Sequence, residues 1–262
     1  MRVSRAELDR MSSAAAVIRE CRQELAARSA ELLDEIAPAG VCEWQRYPDG
    51  EAYDPQSHAQ YFFHAHAGSS LQPRECGHFH TFLRAEGMPE GLAPLLLPEL
   101  AVADVAALPP QAAPLKRGTR DEVSHLIAIA IDARGEPIRL FTTNRWVTGE
   151  TWYRAEDVIR MLDRFVVAEA EPSELLNRWI GAMIPLFRPQ IAALLRARDE
   201  TAMGWRRRRR TNVFEDSRLE VTSGLDIALD AQLAFVERVC NRSEAAATGH
   251  ASGLPSMAEG WE

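Results

Sequence analysis

The chain has 262 residues, 46% of them hydrophobic and 26% charged; that is enough apolar material for a sizeable core and excludes wholesale disorder. The formal net charge of −8 gives no global attraction to nucleic acid or an anionic membrane, so either partner would need a local basic patch. No stretch stays apolar for the roughly 18 to 20 residues of a spanning helix, the N-terminus is unlike a signal peptide, and Cys21, Cys42, Cys76 and Cys240 form no CxxC pair, which together predict a cytoplasmic protein with no membrane span.

In residues 4–36 the apolar positions Leu8, Met11, Ala15, Ile18, Cys21, Leu25, Leu32 and Ile36 recur mostly three, four or seven apart, the pattern of an amphipathic helix. Ser4 and Glu7 have capping-box spacing, and Pro38 and Gly40 stop the run. Residues 1–40 therefore read as an N-terminal helical segment whose stripe docks on the rest of the chain or, as the less favoured reading, on a second copy in a homodimer. Residues 43–55, WQRYPDGEAYDP from Trp44 on, carry Pro48-Asp49-Gly50 and Pro55 and read as a loop. Residues 60–66 and 78–83 are aromatic-rich and alternating, with Gly68, Ser69, Ser70 and Pro73 between them, and predict two antiparallel strands.

Residues 86–120 are rich in proline and without periodicity, which reads as a covering lid or a long loop. Residues 125–132 and 137–143 flank Ala133-Arg134-Gly135-Glu136 as a hairpin. Helical spacing follows at 156–167 and 173–205, the second interrupted by Pro185 and Pro189. A strand at 219–222, a turn at Ser223-Gly224 and a helical stretch at 231–240 complete a single α+β domain over 41–242, with 243–262 expected to be a disordered tail. Strands followed mainly by helices, without crossover helices between them, predict an antiparallel sheet of about four to five strands flanked by helices.

The strongest chemical signal is histidine. Of seven in the chain, five (His58, His64, His66, His78 and His80) fall within residues 58–80. Side chains two apart on a strand share a face, so His64 with His66, and His78 with His80, each form a potential clamp. If the two strands pair in suitable register, four imidazoles converge on one divalent ion, iron or zinc being the expected cofactor; a one-residue slip would send one pair to the opposite face. Asp54, Glu75 and Glu86 are nearby oxygen ligands or proton carriers, Glu75 being the catalytic candidate, and Cys76 shares the parity of His78 and His80. The nearest known pattern is the first cupin motif, missed because His80 and Glu86 are separated by five residues and position 72 is Gln72 rather than glycine. Structural histidines on a half-exposed strand are the alternative.

A second polar concentration, Thr142, Thr143, Asn144, Arg145, Trp146, Thr148, Glu150 and Trp152, follows the hairpin. Asn144, Arg145 and Trp146 are substrate-binding candidates, Arg145 as a bidentate anion partner or catalytic group and Trp146 as a stacking surface. The competing reading is a helix-entry turn capped by Thr148 or Thr151. Arg206 to Arg210 after Trp205 invite a nucleic-acid reading, yet on a chain of net charge −8 they read better as a solvated helix end.

The strings DPQSHAQYFFHAH, GHFHTFLR, HLIAIAID, PIRLFTTNRWVTGETWY and LFRPQI together resemble an uncharacterised bacterial family of unknown function, over roughly residues 43–239. That resemblance implies a bacterial, cytoplasmic, single-domain protein and carries no mechanism. The residues themselves predict a metal-dependent enzyme, a hydrolase or an oxygenase, with the ion at His64, His66, His78 and His80 and a small anionic substrate as partner. The reading from another class is a non-enzymatic accessory protein with a structural sheet and a protein or nucleic-acid partner.

Overall fold

The computed structural model describes residues 3–65, 74–95, 122–169, 171 and 173–251, with 244–251 as backbone only. Among these residues it shows one antiparallel sheet in the simplest order, β1-β2-β3-β4-β5-β6, formed by β1 (Arg46–Tyr53), β2 (Ala59–His64), β3 (Gly77–Arg84), β4 (Val123–Ile131), β5 (Pro137–Thr143) and β6 (Val221–Asp226). The helices are α1 (Arg5–Ala27), α2 (Leu32–Ile36), α3 (Arg145–Thr148), α4 (Ala155–Met161), α5 (Glu174–Leu186), α6 (Arg188–Arg209) and α7 (Leu229–Ala251).

The α+β expectation holds, with one strand added at one sheet edge and the strand expected at 219–222 found at Val221–Asp226 on the other. β1 occupies the segment read as a loop, because its turn residues are real but local: the register passes from Tyr47 opposite Phe63 to Ala52 opposite Tyr61, so Pro48-Asp49-Gly50-Glu51 bulges out of an edge strand, where proline is tolerated. β6 runs through Ser223-Gly224, where a turn was expected, with Ser223 opposite Thr142 and Gly224 opposite Phe141.

One face of the sheet carries Tyr61, Phe63, Phe79, Leu83, Ile127, Ile129, Ile131 and Leu140, all fully buried within the main core. Burying each such side chain is worth about 1.5–3 kcal/mol. The helices cover this face: the Tyr61 hydroxyl donates to Asn177 Oδ1 at 2.7 Å and Phe79 meets Trp179 on α5 with ring centroids 5.7 Å apart. The predicted first helix is two: after Ala27 the Ser29 backbone turns left-handed (φ 50), with Ala30 N–H donating to Leu25 O and Ser29 N–H to Ala26 O, a Schellman stop. The apolar stripe of α1, Leu8 to Leu25, is buried against α5 and α7 of the same chain, so docking within the chain accounts for it without a second copy.

Pro185 and Pro189 act as expected. α5 ends one residue after Pro185, and Pro189 sits in the first turn of α6, where a missing amide costs nothing. The arginine run forms the last turn of α6, with Arg207 to Arg209 exposed and the Arg209 guanidinium over the Trp205 ring, the solvated helix end favoured by the helix dipole. α7 continues through 243–251, part of the segment expected to be a disordered tail. No helix among the described residues is long and apolar enough to cross a membrane. Of the lid expected over 86–120, residues 96–120 lie outside the described residues.

Candidate metal centre

The register of β2 on β3 decides the fate of the histidines. His64 stands directly opposite His78, and Phe62 opposite His80, so all three imidazoles rise from the sheet face turned away from the helix-covered core. Their candidate ligand atoms lie within 4.8 Å of one another. His64 Nε2 and His78 Nε2 approach to 2.8 Å, the spacing of a shared proton, and a small rotation of either ring would open them to the wider spacing of two ligands on one ion with bonds near 2.0–2.1 Å.

The Nδ1 atoms of His78 and His80 are engaged. His78 Nδ1 meets Glu75 Oε1 at 2.6 Å, a carboxylate–imidazole contact of the kind that fixes a metal ligand's tautomer. His80 Nδ1 meets His125 Nε2 at 3.1 Å. Burial, then the positive field of Arg198 and His78, pushes His125 down to about 3, so it is neutral at physiological pH. His78 and His80 are buried and His64 is half-buried.

His125 was not among the clustered histidines, and the reason is a bulge. Up to Ile127 the β3–β4 register alternates, Thr81 pairing with Ile127; then Phe82 pairs with His125, leaving Leu126 as the extra residue. Straight alternation would place His125 with Ile127 on the core face. The bulge carries it instead to the histidine face, 5.0 Å from His80 and 5.2 Å from Phe82 between ring centroids.

The surroundings are aromatic and small. Phe62 touches His64 and His80, and Phe141 touches His78 at 5.0 Å between centroids. Two cross-strand rows result: Arg46, His64, His78, Ala130, Arg139, Asp226, and beside it Phe62, His80, Ala128, Phe141, Gly224. Gly77, just before His78, is a packing requirement: a Cβ there would meet the Phe63 ring at 2.4 Å and the His64 carbonyl at 2.6 Å.

The remaining sequence candidates are placed elsewhere. His58 sits in the turn between β1 and β2, its Nδ1 on the Tyr53 hydroxyl at 2.7 Å. Both Asp54 oxygens are taken by four backbone amides, those of Gln56, Ser57, Ala168 and Glu169; burial alone would raise this carboxyl, but the four donors hold it well below the usual carboxylate range. Glu86 lies in a short 3-10 turn, Ala85–Gly87. His66 lies outside the described residues. Asn144, not Thr148 or Thr151, caps α3, its Oδ1 accepting from Arg145 N–H while its Nδ2 donates to Val213 O at 2.7 Å. Arg145 is ion-paired with Glu215, and Trp146 Nε1 donates to Leu219 O at 2.8 Å. These three therefore hold the exit of β5 to the segment before β6.

Where β5 leaves β4, Glu150 takes over the free strand edge: its Oε2 accepts the His125 N–H at 2.9 Å, and Thr151 N–H donates to Val123 O. Burial pushes the Glu150 carboxyl up to about 7, against the opposing pull of Arg198, the His125 amide and Arg145. Arg198, itself buried, lies 4.2 Å over the Trp152 ring.

An antiparallel α+β protein with a three-histidine cluster on the sheet face turned away from the main core is the class that fold and site define. The chain belongs to the family described as Domain of unknown function (DUF6969), whose model matches residues 12–227. No curated protein and no solved structure matches it.

Proposed function

We propose that this protein is a metal-dependent enzyme that holds one divalent ion, iron or zinc, at His64, His78 and His80 and acts on a small anionic molecule. The observation that carries this reading is the convergence of three imidazoles within 4.8 Å, two of them with the remote nitrogen engaged by Glu75 and His125. Three neutral nitrogen donors suit zinc or iron, and a three-ligand set leaves coordination positions open, the arrangement of catalytic sites. Bound there, the ion would polarise a substrate oxygen or activate water or dioxygen, hydrolase and oxygenase chemistry respectively.

In this reading Glu75 is a positioning residue: it fixes the His78 ring, so that Nε2 faces the ion. Phe62 and Phe141, both buried, wall the cluster and exclude water. Arg145, with Asn144 and Trp146 beside it, faces the exit of β5, and its guanidinium is already held by Glu215; the anion-binding role passes to arginines of the histidine row. A cytoplasmic, bacterial setting belongs to the same reading, supported by four cysteines that are all free thiols.

The test is zinc affinity measured by competition with a chromophoric chelator. The wild-type chain is expected to take up one equivalent, and the His64→Ala/His78→Ala variant to bind at least a hundredfold more weakly while keeping its circular dichroism. Equal affinity in the two proteins contradicts the assignment.

A further inference from the structure

The two cross-strand rows hold two arginines, one on each side of the histidines. Arg46 on β1 is directly opposite His64; its guanidinium lies 4.5 Å over the Phe62 ring and is ion-paired with Glu51. Arg139 on β5 is two strands from His78, with only the methyl of Ala130 between them in the row. Its guanidinium lies 5.3 Å over Phe141, and the Phe141 ring is 5.0 Å from the His78 ring. The guanidinium carbon is therefore within about 10 Å of that ring.

Arg139 differs from Arg46 in how it is held. Asp226 stands directly opposite it on β6, yet no ion pair joins them among the described residues, and the guanidinium is turned onto Phe141 instead. Its path crosses Gly224, where a Cβ would come within 2.7 Å of Nη2 and 3.1 Å of Nε. Glycine at that position and the ring beneath it keep the planar fork aligned beside the histidines. Arg139 also borders a cleft of about 410 Å3 that carries Arg74 and Arg134 together with Asp132, Glu136, Asp226 and Asp230 and does not reach the histidines.

We infer that Arg139 is the anion anchor of the site and sets its substrate class: an oxyanion-bearing molecule, carboxylate or phosphate, whose apolar segment lies on Phe141 and separates the anion from the group presented to the ion. A guanidinium fork binds either oxyanion in bidentate fashion, and a phenylalanine face accepts a short apolar or aryl segment. Two strand spacings of about 4.8 Å put ion and anchor on the order of 10 Å apart, room for the oxyanion's contact with the guanidinium, an aryl segment and one metal-bound group. This inference rests on the metal reading.

Cobalt(II)-loaded protein, followed through its visible absorption, would be titrated with 4-hydroxyphenylacetate, 4-hydroxyphenyl phosphate and the neutral analogue phenol. The wild-type chain is expected to bind one of the two oxyanions at least tenfold more tightly than Arg139→Gln does, with phenol equal in both, and the tighter oxyanion identifies the substrate's group. Arg139→Lys, which keeps the charge but not the fork, is expected to fall between them. Gly224→Ala, which leaves every charge in place and obliges only the end of a flexible side chain to move, is expected to reproduce part of the loss. Equal oxyanion affinity in wild type and Arg139→Gln, with cobalt bound to both, overturns the anchor and leaves the metal site standing. Failure of the wild-type chain to bind cobalt overturns both.

Discussion

Glu150 shows what a single buried residue does to this protein's pH response. Its carboxyl is pushed up to about 7, whereas in the unfolded chain it titrates near 4.3. Between those values the native state binds more protons than the unfolded one, so this group makes stability fall as pH rises from about 4 to about 7. Glu150→Gln removes the titration while keeping an acceptor for the His125 amide. In urea unfolding the variant should match the wild type near pH 5 and exceed it near pH 8 by roughly 1–3 kcal/mol; an unchanged difference at the two pH values would show that the carboxyl is not held neutral. At this scale the sequence was legible where spacing alone decides: His78 and His80 share a face because their strand alternates, whereas His64 joins them through the register that sets it opposite His78. His125 was illegible, since only a bulge at Leu126 brings it to that face, and nothing in HLIAIAID marks where alternation slips.

Among the elements, α1 and the two edge strands carry the contrast. The stripe of α1 was readable because its period of 3.6 residues survives whatever it packs on, and the Ser4 cap was readable too, its Oγ accepting from Glu7 N–H at 3.2 Å. The break after Ala27 was not, because the left-handed residue that makes it is Ser29 rather than glycine. The stripe is inner wall, not appendage: Ile18 is fully buried. Ile18→Ala should therefore cost about 2–4 kcal/mol, read as a lower urea midpoint at an unchanged slope. A cost below 1 kcal/mol would mean that the helix is only loosely docked. β1 and the second half of β6 were obscured for one shared reason: edge strands tolerate proline, glycine and bulges, so their residues imitate turns.

Over the whole molecule, the sheet separates stability from chemistry. One face forms a continuous apolar core with the helices, while the other gathers three histidines, two phenylalanines and two flanking arginines in two rows. The fold class was legible because strands and helices segregate along the chain; the site was half legible, since the histidine pairs announce themselves, whereas their partners from β4 and β5 are joined to them only by pairing across the sheet. Arg145 stood out in the sequence through its neighbours Asn144 and Trp146, although the rows instead bring Arg139 beside the histidines. The central claim is that these rows exist to hold an ion. It is tested most directly by elemental analysis of tag-free protein purified without chelator, counting iron, zinc, copper, nickel and manganese per chain. The account predicts close to one equivalent of iron or zinc, lost in His80→Ala; a chain that carries none, even after reconstitution with each metal, would contradict it.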